Sequence, residues 1–292
     1  MFLKNAIPLG FVELANGSKA IYPMNDLFLT YTFEDASNWE SLRLAVNLVI
    51  DSYRGTKPDT SVKPIEGRIS VRTQFRHLLS IDWKTTRDQD IKIIEDDEET
   101  SYVEFQNKAT TNPPIEIRSV EYFGLGIGHG KGKTVNQLWL LAEDVEPVLH
   151  GGMFERYVLK SEVTGHTHPN TSGIMYVSLV KLSRAVGPVG ELASFFLGQM
   201  YNPENGDVKK IAEAMKTSFE AFKADKEVIR VLTLAERYSQ EGEAKGKEIG
   251  KEIGINLAAD RIAELIDNGF SLDEALRNVR ENKEWINGTQ KK

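Results

Sequence analysis

QDIKIIEDDEETSYVEFQN, residues 89–107, is the stretch on which the reading of the fold turns. Asp90 to Ile94 and Ser101 to Gln106 are β-prone runs, and the acidic EDDEET between them predicts a hairpin with a solvated turn. Glu104 lies between Val103 and Phe105, close to Tyr102, where a buried strand is expected. Asp90 opens the other run, ahead of Ile91, Ile93 and Ile94. A charge in a low-dielectric site is costly unless something compensates it, so the hairpin poses the question of what compensates these two acids.

The chain around this hairpin has 292 residues, of which 40% are hydrophobic and 27% charged, within the range of a soluble globular protein. No apolar run reaches membrane-spanning length, and the N-terminal segment lacks the pattern of a signal peptide. A cytoplasmic protein without membrane partners is therefore expected. There is no cysteine, which excludes disulfides, thiolate metal sites and cysteine nucleophiles. The net charge of −7 argues against nucleic-acid binding through a general positive field. Contact with DNA would need a local basic surface, for which Arg68, Arg72, Arg76, Lys84 and Arg87 are the candidates.

Upstream, Ser37 and Glu40 have the spacing of a capping box, and Trp39, Leu42, Ala45, Val46 and Val49 recur at helical spacing up to Gly55. Residues 68–75 and 78–83 read as strands. Downstream, IEIRSVEYF reads as a helix that dissolves into Gly124, Gly126, Gly128, Gly130 and Gly132. VNQLWLLAED, FERYVLKSEV and GIMYVSLVKL read as further strands. From Glu191 the pattern becomes helical, which predicts an α/β domain over residues 1–190 and a helical region over 191–292, closed by a short helix capped at Ser271. Gly242, Gly246, Gly250 and Gly254 recur every four residues. They suit either a flexible linker helix or a smooth strip for self-association into a homo-oligomer.

Three motifs carry little chemistry. GLGIGHGKGKT has phosphate-loop character, but its glycine spacing is one residue off. GHTHP sets His166 and His168 in a polar turn without a third ligand. No serine sits in a nucleophile elbow. Asp90 and Glu104 remain. Converging at one end of a sheet, they suit Mg²⁺ or Mn²⁺, with the Phe105 carbonyl as a third donor. Gln106 shares the face of Glu104 and is placed to orient water or phosphate. The alternative is an edge strand whose polar face meets water.

These residues resemble the PD-(D/E)XK nuclease family transposases, the recombination-promoting nucleases of the Rpn type. The resemblance runs from about Asn25 to Asn282. It rests on NDLFLTYTFED, on D-x13-E-x-Q across the hairpin, on R-x-x-x-Y at Arg118 and Tyr122, and on Gly132-Lys133 before VNQLWLLAED. The Glu/Lys/Gly-rich tail with its closing G-x-S-x-x-E helix completes it. It implies a restriction-endonuclease-like mixed sheet flanked by helices, in a bacterial enzyme of mobile elements that cleaves DNA with Mg²⁺. Asp90 and Glu104 match the metal-binding acids, and Gln106 takes the place that lysine holds in the wider superfamily. Glu40 matches a helical acid that some members add to the metal site, Asp26 a recurrent position, and Arg118 a phosphate contact or a salt bridge to the hairpin. Two departures are the missing proline before Asp90 and the run of glycines where the family continues a helix. The rival reading is a nuclease-like fold acting as a binding or assembly module through its tail. The choice between DNA and RNA stays open.

Overall fold

The computed structural model describes residues 6–7, 11–13, 19–21, 23–73, 90–96, 98–108, 111, 113–129, 136–168, 172–226, 228, 258 and 260–281. At its centre is a six-stranded mixed sheet in the order β4-β5-β6-β7-β9-β8. The strands are β4 (Ile69–Thr73), β5 (Ile91–Glu95), β6 (Glu98–Gln106), β7 (Asn136–Leu141), β8 (Phe154–Val158) and β9 (Gly173–Ser178). A separate three-stranded sheet, β1 (Ala6–Ile7), β2 (Phe11–Glu13) and β3 (Lys19–Ile21), precedes them. β4, β5 and β6 are antiparallel, β6, β7 and β9 are parallel, and β8 closes the far edge antiparallel to β9. Parallel strands need cover on both faces. Accordingly all of β9, and all of β7 but Asn136, is buried.

The hairpin forms as expected, and its strands run closer to the turn than the sequence suggested. β6 begins at Glu98, and Asp96 turns the chain with a left-handed φ of 48°. A bulge between Ile93 and Ile94 absorbs one residue, after which Ile93 pairs with Ser101 and Ile91 with Val103.

One face of the sheet carries most of the helices. These are α1 (Asp26–Glu34), α2 (Trp39–Thr56), α6 (Pro188–Phe196) and α7 (Gly206–Ala224). The apolar stripe of α2, Leu42, Ala45, Val46, Val49, Ile50 and Tyr53, is buried. Val46 and Ile50 share a small cavity with Val103, Leu138 and Met175 of the sheet. Phe105 meets Phe196 of α6 at 5.8 Å, and Phe28 of α1 meets Phe219 and Phe222 of α7 at 5.9 and 5.3 Å. The opposite face is covered by α3 (Ile115–His129) and the short α4 (Glu146–Leu149), around a core that includes Trp139, Leu141, Val148 and Tyr176. A further one-turn helix, α5 (Leu179–Leu182), follows β9 directly.

The structure corrects three expectations. Ser37 and Glu40 form no capping box: Asp35 accepts the Ser37 N–H at 2.9 Å to start a 3-10 turn, and Glu40 pairs with Arg43 instead. Asn38 does the joining here, donating from Nδ2 to the Thr32 carbonyl at 2.8 Å and to Ser218 Oγ at 3.0 Å. Secondly, α3 does not end at Gly124 but continues through the glycines to His129. Thirdly, the boundary lies further along than residue 190. The chain divides into Met1–Ile229 and Arg230–Lys292, because the aromatic rings of α6 and α7 complete the core over the sheet. In the second unit, residues 260–267 (α8) and Leu272–Glu281 (α9) are helical. As expected, Ser271 and Glu274 cap α9, with the Ser271 N–H donating to Glu274 Oε2 at 2.9 Å. The expected strand at 78–83 and the glycine repeat at 242–254 lie outside the described residues. Among the described residues no helix is long and apolar enough to cross a membrane.

The boundary is testable by truncation. A chain ending at Ile229 is expected to unfold cooperatively on heating. One ending at residue 190, stripped of Phe196, Phe219 and Phe222, is expected to show no cooperative transition. Differential scanning calorimetry distinguishes the two.

Candidate active site

The pairing of Ile91 with Val103 sets Asp90 opposite Glu104 at the mouth of the hairpin. There each carboxylate accepts a main-chain N–H from the opposing strand. The Asp90 N–H donates to Glu104 Oε1 at 3.0 Å, and the Phe105 N–H donates to Asp90 Oδ2 at 3.0 Å. Both are buried, at 7% and 2% exposure. Hydrogen bonds to a carboxylate favour its charged form, so part of the compensation that the sequence called for comes from these amides.

Side chains alternate along a strand, so Glu104 and Gln106 face α3, while Val103 and Phe105 face the helix-rich side. Across the parallel ladder Glu104 neighbours Trp139, and Trp139 neighbours Tyr176. Over this row α3 lowers two residues one turn apart. Arg118 donates from Nη1 to Gln106 Oε1 at 2.9 Å, and its guanidinium lies 5.5 Å from the Trp139 ring and 5.7 Å from that of Tyr122. The Tyr122 and Trp139 rings stack at 6.0 Å. Burial above all raises the Tyr122 phenol pKa. The negative charge of Glu104 and, more weakly, of Asp90 pushes it the same way, while the Arg118 charge and hydrogen bond oppose them. One phenol therefore senses both carboxylates and the guanidinium.

The other expected site residues fall in different places. Gln106 is engaged at both ends of its amide, since Nε2 donates to the Lys108 carbonyl at 3.0 Å. In this arrangement it tethers Arg118. Arg118 makes that neutral hydrogen bond where a salt bridge to the hairpin was one expectation. Glu40 does not join the acid pair: it is exposed on α2, over the opposite face of the sheet, and bound to Arg43 at 2.6 Å. Arg72 is exposed on β4 opposite Lys92. Lys92 is two residues from Asp90 and so shares its face. Arg76, Lys84 and Arg87 lie outside the described residues. His166 and His168 sit in an exposed turn pinned by the Lys160–Thr167 bridge.

Sequence reasoning passed over Trp139 and Gln137. Trp139 is fully buried, and its Nε1 donates to Gln137 Oε1 at 3.3 Å. The signal was present: a buried indole needs an acceptor, and a glutamine two residues earlier on a strand shares its face.

Among the described residues no group of three or more His, Cys, Asp or Glu side chains is placed to hold a metal ion. The donor set for a hard cation is thus the two carboxylates together with the main chain. A residue's N–H and C=O leave the same edge of a strand, so the Phe105 carbonyl faces the edge where its N–H meets Asp90. Carboxylate and carbonyl oxygens are the donors that Mg²⁺ and Mn²⁺ take, and the residues present fit such an ion.

If Glu104 and Tyr122 share this site, Glu104→Gln removes a negative charge from beside the phenol. Tyr122 should then ionise at lower pH than in the parent protein. Tyrosinate absorbance, with Tyr122→Phe in each background to isolate the residue, measures the change; an unmoved titration would separate the two groups. Comparison of this chain with protein-family models, curated proteins and solved structures finds no match.

Proposed function

We propose that the protein is a divalent-metal-dependent endonuclease that hydrolyses DNA phosphodiesters, akin to the recombination-promoting nucleases of mobile elements. The observation that carries this reading is the crossed pair of hydrogen bonds, Asp90 N–H to the Glu104 carboxylate and Phe105 N–H to the Asp90 carboxylate, which sets two buried acids where a sheet ordinarily places apolar residues. Structural stability alone gives little reason to bury such a pair, because apolar side chains of similar volume would serve as well or better.

Asp90, Glu104 and the Phe105 carbonyl are the groups that would hold Mg²⁺ or Mn²⁺. Such an ion, when bound, supplies a nucleophile at neutral pH and offsets charge on phosphoryl oxygens. Arg118 offers a planar, multiply donating cation of the kind that recognises phosphate, aimed by Gln106 and steadied by the Trp139 and Tyr122 rings. Arg72 and Lys92 add positive charge on the same face, in register across β4 and β5. That is the local basic surface a chain of net charge −7 needs in order to approach a phosphate backbone. The engagement of both ends of Gln106 favours a second reading, a nuclease-like fold used as a binding module.

Plasmid DNA incubated with the protein and Mg²⁺ decides between them. The parent protein should nick or linearise it, and Glu104→Ala should be slower by about a hundredfold or more, the usual loss when a preorganised electrostatic group is removed. Equal cleavage by the variant would contradict the assigned site. No cleavage by either protein would favour the binding module.

A further inference from the structure

We propose that the cleft between α1 and α7 is a binding site for a small aliphatic polyamine, a ligand that brings several separated positive charges. The cleft belongs to the helix-rich side of the sheet, and the proposal does not depend on the nuclease reading.

The cleft has a volume of about 290 Å³, near the lower end of the range of small-molecule sites. Tyr31 and Glu34 of α1, Asp35 and Asn38 at the ends of the 3-10 turn, and Thr217 and Ser218 of α7 line it. Asn38 is only 7% exposed. Its Nδ2 is committed to the Thr32 carbonyl and to Ser218 Oγ, whereas its Oδ1 takes no hydrogen bond among the described residues. A buried amide ordinarily finds partners for both ends. The carbonyl oxygen of Asn38 therefore offers the cleft an acceptor that a ligand's N–H can fill.

The charges set the sign of that ligand. Among the described residues lining the cleft none is basic. Lys216, next to Thr217, is turned to Asn202 Oδ1 at 2.8 Å and to the Tyr201 ring at 4.0 Å. The Ser37 N–H, and with it the Ser37 hydroxyl, holds the Asp35 carboxyl below its ordinary range, so Asp35 is an anion at neutral pH. Burial first, and then the charges of Asp225 and Asp35, raise the Tyr31 phenol, which sets that ring near two acids. Glu34 is steadied by the Thr73 hydroxyl at 2.6 Å. An alkylammonium group brings three donors and no acceptor, and the face of an aromatic ring attracts it. Among the described residues these acids do not gather into a group that could hold a metal ion. Acids spread around a cleft suit a chain carrying several ammonium groups better than one compact divalent ion.

Isothermal titration of the full chain with spermidine tests this. The parent should bind one equivalent. Asp35→Asn keeps a capping side chain at the turn and removes one charge; it should bind at least about fivefold more weakly, the ratio that one nearby charge contributes in a hydrated site. Thr217→Arg places a cation on the exposed wall and should weaken binding by at least about tenfold. Asp51→Asn, which removes an exposed acid near the far end of α2, should bind like the parent. Melting temperatures close to the parent's establish that the variants fold, and either cleft variant suffices if the other does not. Weaker binding by the cleft variants, with Asp51→Asn unchanged, supports the proposal. Equal binding by all of them overturns it and assigns the affinity to the net charge of −7. No binding by the parent at millimolar spermidine overturns it, as does displacement of spermidine by an equal concentration of Mg²⁺, the mark of a divalent-ion site.

Discussion

Two amide hydrogens, one from Asp90 and one from Phe105, hold the mouth of the β5–β6 hairpin in register. Each is received by the carboxylate of the opposing strand, so the pairing that aligns the strands also aligns the acids. A slip of one residue would turn every side chain of β6 to the other face. It would carry Glu104 into the apolar layer beneath α2 and α6, and Phe105 toward α3. The cost of burying a carboxylate without partners and the loss of the Phe105–Phe196 contact both oppose that slip. The acid pair and the core thus enforce the same register.

From that register the rest of the site follows. β6 is the strand at which the sheet changes from antiparallel to parallel, with the hairpin on one side and the β7–β9 ladder on the other. The hairpin brings Asp90, and the ladder brings Trp139 and Tyr176. Crowding of helices on the far face leaves α3 to cover this one. The first turns of α3 carry Arg118 and Tyr122 across the end of β6. Both faces of the sheet are packed with aromatic and aliphatic side chains, and the one under α3 also gathers the charged groups of the site.

Much of this was legible in the sequence. The hairpin, its two acids and the shared face of Glu104 and Gln106 followed from alternation, which is a local property of the chain. So did the strands 69–73, 136–141, 154–158 and 173–178 and the capping box at Ser271. What was not legible depended on contacts distant in sequence. Helices α6 and α7 read as a separate tail because nothing local reveals that Phe219 and Phe222 close over Phe28. The box at Ser37 and Glu40 matched a spacing rule, yet Asp35 and Arg43 competed for the same groups and won. The glycines after Phe123 predicted a helix end, but the destabilisation they bring, nearly 1 kcal/mol each, is offset where the rest of the helix packs on a core. Glu40 was assigned by resemblance, and the fold sets it over the wrong face. The tether between Gln106 and Arg118 could not be read at all, since it depends on how α3 lies over the strand.

The account is tested most directly by anomalous diffraction from crystals of the full chain grown with Mn²⁺. It predicts one strong peak between Asp90 and Glu104, within about 2.3 Å of an oxygen from each, as hard divalent cations require. A peak elsewhere, or none between these carboxylates in crystals that hold Mn²⁺ at saturating concentration, would contradict it.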